Sequence, residues 1–174
     1  MGQLGATVAE AATMGTRYAE RLVGGISPAR FARFAEPGGE TVLANHPAFI
    51  IGHLSLYPQK VVALLGGDTA SVAPPEIYEK LFSKEAKCQD DVDGTLYPTR
   101  EHLVQFFDRS YSVAMEMLRQ TSDAQLAVPN PVESPIQYVL PTLGSLLAFY
   151  MTGHVMLHLG QLSTWRRMEQ LPPA

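Results

Sequence analysis

Apolar positions recur at steps of three and four along four stretches of the chain, and each stretch predicts a helix. In the first, residues 5–23, Val8, Ala12, Gly15, Ala19 and Leu22 fall on one face, and their small size lets another helix approach closely. SPARFARF (27–34) reads as a short extra turn and EPGGET (36–41) as a loop. The second helix opens at NHP (45–47), where Asn45 or His46 can cap it and Pro47 occupies a first-turn position that needs no N–H. It continues through AFIIGHLSLYPQKVVALL to the helix-ending pair Gly66 and Gly67, with a kink expected at Pro58.

Periodicity fails over residues 68–98: PPEIYEKLFS (74–83) suggests a short helix and CQDDVDGTLYP (88–98) is polar and turn-rich. A connection of that length is a crossover or a lid. Thr99 caps the third helix, Glu101 suits its first turn, and Leu103, Phe106, Phe107, Val113, Ala114, Met117 and Leu118 supply its buried face. VPNPVESP (128–135) is a Pro-rich loop, and the fourth helix covers about residues 142–170, ending before Pro172 and Pro173. Strand patterns are sparse and no repeat is present. The expected fold is all-α: one domain over residues 1–174, a four-helix bundle with one long connection, between the second and third helices.

Composition adjusts this picture only slightly. A chain of 174 residues, 46% hydrophobic and 17% charged, can bury a core without staples. Its net charge of −4 and the lack of a dense Lys/Arg run argue against a nucleic-acid partner. Cys88 is the only cysteine, which excludes an intramolecular disulfide and reads as an incidental reduced thiol. The opening MGQLGATVAEAATMG does not read as a signal peptide, and no apolar run approaches the roughly 20 residues of a membrane span. A soluble cytoplasmic protein without a membrane partner is expected.

The candidate chemistry lies in GHVMLHLGQLSTWRR (153–167). Leu143, Leu147, Tyr150, His154, His158, Gln161 and Trp165 succeed one another along the inward stripe of the fourth helix, so two imidazoles stand where Leu is expected. Four residues advance about 400°, leaving the rings ~40° apart and one turn along the axis, a spacing that lets two nitrogens converge on a metal. Such a pair is equally consistent with two core histidines satisfied by carbonyls or hydroxyls. The second helix adds a third imidazole, since Ile50, His53, Tyr57, Val61 and Leu64 form its stripe, with Gly52 beside His53 and Gly153 beside His154 removing bulk. His46 lies seven residues before His53, about 10.5 Å along the axis, too far to share a metal, and reads as a helix-start residue at a pocket mouth. His102 reads as solvent-facing.

Three imidazoles without a thiolate leave a coordination position open for water or substrate. Zinc is the default ion and nickel follows. NHPAFIIGHL (45–54), LYPTREHLVQFFDRS (96–110) and GHVMLHLGQLSTWRR (153–167) resemble the DinB-like superfamily, related to thiol-dependent S-transferases and maleylpyruvate isomerase, with the first helix a looser match. The resemblance implies a four-helix bundle whose divalent metal is held by one histidine of the second helix and an H-x-x-x-H pair of the fourth, here His53, His154 and His158. It also implies a homodimer, and relatives that use bacillithiol, mycothiol or glutathione.

Three functions compete. In a metal-dependent transferase adding a low-molecular-weight thiol to an electrophilic small molecule, Tyr57 and Tyr150 orient substrate or stabilise negative charge, and Gln161 supports a ligand. Arg166 and Arg167 attract an anionic substrate or, as helix-end cations, compensate the dipole at the surface. A metal-dependent hydrolase ranks lower, because no carboxylate lies on either inward stripe and Glu116 and Asp108 of the third helix are poor bases for it. The third is a non-catalytic metal-binding or stress-associated dimer.

Overall fold

A computed structural model describes residues 2–174. The bundle's four legs are α1 (Gln3–Val23), α3 with α4 (Pro47–Leu54 and Tyr57–Leu64), α6 (Arg100–Gln120), and α8 with α9 (Leu143–Ala148 and His154–Met168). Shorter helices fill the connections: α2 (Pro28–Phe31), α5 (Glu76–Phe82) and α7 (Asp123–Leu126). Two 3-10 turns add to them, Pro37–Gly39 and Pro135–Tyr138. Among the described residues no helix is long and apolar enough to cross a membrane.

The small face of α1 does what its composition predicts. Gly5, Ala9, Ala12, Gly15 and Ala19 are buried, and α1 packs along both α6 and α9. A Cβ on Gly5 would lie 2.0 Å from the Leu118 carbonyl oxygen, so glycine is what allows that approach. The free N–H groups at the start of α1 are taken up by the Asp123 carboxylate, which accepts from Gln3 and Leu4.

Arg166 differs from expectation. It is neither a substrate cation nor a surface residue: it is 5% exposed and donates to the Leu22 and Gly24 carbonyls, each at 2.7 Å. The carbonyls ending α1 need a donor inside the bundle, and a guanidinium supplies several. Arg167 remains exposed.

Two long legs are broken. The second changes direction after Leu54, and Pro58 falls in the first turn of α4, where its missing N–H goes unneeded. The fourth contains a π-helical segment, Phe149–Gly153, immediately before His154; periodicity cannot reveal that extra residue in the turn. The connection between the second and third legs is long as expected, but residues 24–46 and 121–142 also make extended connections.

The first of these is fastened to the end of α9. Arg30 makes two 2.8 Å bonds to Glu169, and the Trp165 indole N–H donates to the Arg33 carbonyl at 3.0 Å. Arg33 in turn grips Asp90, whose carboxyl is held below its ordinary range by that hydrogen bond.

Candidate metal centre

His53 projects from α3, and His154 and His158 from α9, onto a common point at the mouth of a cavity of about 360 Å3. The His53 and His154 Nε2 atoms are 3.3 Å apart and those of His154 and His158 3.1 Å. All three nitrogens lie within 4.8 Å of one another. A tetrahedral ion with bonds of about 2.0–2.1 Å needs ligand nitrogens ~3.3 Å apart, so the spacing suits one.

The far sides of the rings decide which nitrogens are available. His53 Nδ1 is 2.7 Å from the Phe82 carbonyl oxygen, which only accepts, so Nδ1 carries the proton and Nε2 presents a lone pair. His158 Nδ1 lies 3.2 Å from Gln161 Oε1 and donates likewise. Two lone pairs thus face His154 Nε2, while His154 Nδ1 is buried without a partner. No arrangement of protons on three neutral rings satisfies every nitrogen, whereas a cation at the common point satisfies all three Nε2 atoms.

Electrostatics favour the neutral, ligating form. Burial pushes His154 down to about 3, reinforced by charge on the other two imidazoles. Burial likewise lowers His53 and His158.

The histidines sit on the flank of the bundle rather than deep within it. His53 and His154 are 7% and 8% exposed, but His158 is half-buried and Gln161 exposed. The stripe read from the sequence is inward at Leu143, Leu147 and Trp165 and opens to solvent between them. That opening gives the cavity its mouth.

Tyr57 lines this cavity, its ring 4.2 Å from that of His154 between centroids. Burial raises its pKa, so the phenol stays protonated and can donate. Tyr150 stacks edgewise on Tyr57 at 5.1 Å, behind the cavity lining. Gln161 reaches the site only through His158, its Oε1 lying 3.2 Å from Nδ1.

Gly52 and Gly153 behave differently from the reading that both remove bulk. A Cβ on Gly52 would stand 2.5 Å from the Phe82 ring, so this glycine admits Phe82, whose carbonyl orients His53. Gly153 is exposed and a Cβ there meets only ordinary contact with Phe149. Nor does His46 line a mouth. It is fully buried, caps α3 by accepting from the Phe49 N–H, and meets the Gln89 carbonyl at 2.9 Å. His102 is exposed.

Phe49, Ser83, Lys84 and Ala86 also line the cavity, and no carboxylate does. Residues 83–86 belong to the connection, where no periodicity signals them. A larger cavity of about 570 Å3 lies between α5 and α6, with His102 in its lining, and shares no lining residue with this one. Glu116 is exposed and bonds Arg119 and Gln120, while Asp108 lies near Glu20.

Residues 12–162 match the model of a family described as the DinB superfamily. The match contains all three histidines and reaches back into α1. No curated protein matches the chain.

Proposed function

The chain belongs to the DinB superfamily, and from that premise we propose that it is a metal-dependent transferase that adds a low-molecular-weight thiol to an electrophilic small molecule. His53, His154 and His158 are the ligands in this reading, and zinc, then nickel, suits three neutral imidazoles. The observation that carries it is the convergence of three Nε2 lone pairs at the open mouth of a cavity. The bound ion supplies the acidity that lowers a thiol's pKa and raises its nucleophilic fraction at neutral pH.

The protein's own groups divide the remaining work. The Phe82 carbonyl and Gln161 hold two rings in the ligating tautomer. Tyr57 donates a hydrogen bond to charge developing on the electrophile. Lys84, the one charged side chain among the described residues that line the cavity, draws an anionic reactant inward. A hydrolase is disfavoured because the lining offers no carboxylate to take a proton from water.

The test uses tag-free protein: elemental analysis for bound metal, then turnover of electrophiles with bacillithiol, mycothiol and glutathione in turn. Near-stoichiometric metal with thiol-dependent turnover is expected. A loaded site inert with every thiol would favour the non-catalytic metal-binding reading. A homodimer is proposed as the working assembly, joined through the exposed side of α9.

A further inference from the structure

Beside the metal cavity lies a second one of about 390 Å3, lined by Ala44, Asn45, Gln161, Thr164, Trp165 and Met168. Asn45 lines both. The Asn45 amide donates to Gln161 Oε1 at 3.2 Å, and the same oxygen faces His158 Nδ1 at 3.2 Å. A single exposed pair of amides therefore stands between the two cavities, and one of its atoms also orients a histidine.

We propose that this second cavity is a binding site for an uncharged, mainly apolar small molecule whose polar end reaches the Asn45–Gln161 pair. None of its six lining side chains is charged, which leaves no partner for an ionic ligand. Its floor is preformed. The Trp165 indole beneath it is 1% exposed and its N–H already donates to the Arg33 carbonyl, so the ring is fixed and leaves no free donor. Met168 provides an adaptable wall. The Arg30–Glu169 ion pair, at 2.8 Å, holds the surrounding segment in place. The volume lies within the ordinary range of about 300–1,000 Å3 for small-molecule sites.

A ligand whose polar end bonds the Asn45 amide competes for the hydrogen that Gln161 Oε1 now accepts. Occupancy of the outer cavity is thereby felt at His158. The site itself requires no metal and so stands independently of the proposed reaction.

The probe is N-phenyl-1-naphthylamine, an uncharged aromatic amine whose absorption overlaps indole emission. Trp165 is the only tryptophan, so its quenching reports binding without labelling. Titration should show one dye per chain, with and without zinc. Thr164→Phe on α9 and Ala44→Phe on the connection before α3, which add bulk at two lining positions, should each weaken binding at least tenfold while zinc stoichiometry stays unchanged. Absence of saturable quenching, or binding that survives both replacements, would overturn the proposal. Neither result touches the metal reading, whose failure would appear as absent zinc with dye binding intact.

Discussion

At the scale of single residues, the case rests on which nitrogen of each ring is free. His53 and His158 are committed by their Nδ1 partners to point lone pairs inward, and His154 Nε2 faces both. His154→Ala and His158→Ala should each strip most of the bound metal while the far-ultraviolet helical signal persists, and unchanged metal content would remove them as ligands. Tyr57→Phe keeps the ring stacked on His154 and should leave metal content unchanged, altering only turnover or substrate binding. The imidazoles were legible because they interrupt apolar stripes. Their hydrogen-bond partners were not, since a backbone carbonyl such as that of Phe82 has no sequence signature.

His46 carries a separate prediction. Burial lowers its pKa from the ordinary imidazole value of 6.5 to about 4. On acidification below about 6.5 the unfolded chain gains a proton that the folded chain refuses. Stability is therefore present at neutral pH and lost as pH falls toward 4, at about 1.4 kcal/mol per pH unit for one such group. His46→Asn retains a helix-capping oxygen for the Phe49 N–H but cannot titrate. Urea unfolding of the metal-free variant from pH 7 to 4 should show a slope shallower by one proton's share; an identical slope would show that another group is responsible.

At the scale of elements, the connection between the second and third legs is part of the site rather than a spacer. Helix α5 packs on α3 only because Gly52 is bare, and that packing places the Phe82 carbonyl against His53. Glycine to alanine inside a helix ordinarily gains ~1 kcal/mol from propensity. Here the added methyl would overlap the Phe82 ring at 2.5 Å, and overpacking of a core typically costs about 1–3 kcal/mol. Gly52→Ala should lower stability on balance and, by moving the carbonyl, weaken metal binding ~10-fold or more, measured by urea unfolding and chelator competition. Gained stability with unaltered metal affinity would show that α5 moves freely. Sequence periodicity located both helices but could not pair them, because the contact joins residues 52 and 82 across an irregular segment. The π-helical segment was hidden for a similar reason: nothing in the spacing of Phe149–Gly153 marks a widened turn, which depends on its neighbours.

At the scale of the whole molecule, the outer side of α9 is unlike an ordinary solvated face. Met156 and Leu157 are 38% and 58% exposed, and Gly153 and Gly160 lie on the same side of the helix. Neither glycine is demanded by the chain's own packing, since a Cβ on Gly160 meets nothing and one on Gly153 only ordinary contact. Two glycines in exposed helical positions forfeit ~1 kcal/mol each relative to alanine, a loss that close approach of an outside backbone would offset. The homodimer proposed above would seat a second copy of this helix here, because an apolar stripe with small residues can pack on itself across a two-fold axis. The bundle was legible from the spacing of its apolar residues, whereas an apolar face that stays exposed in one chain looks in sequence like any other. Leu157 projects ~100° around the helix from its neighbour His158, so Leu157→Glu should abolish self-association without reaching the imidazoles. Sedimentation velocity should find a dimer for the parent chain and a monomer of unchanged metal content for the variant; a monomeric parent, or a dimer that tolerates the buried glutamate, would place the interface elsewhere or deny it.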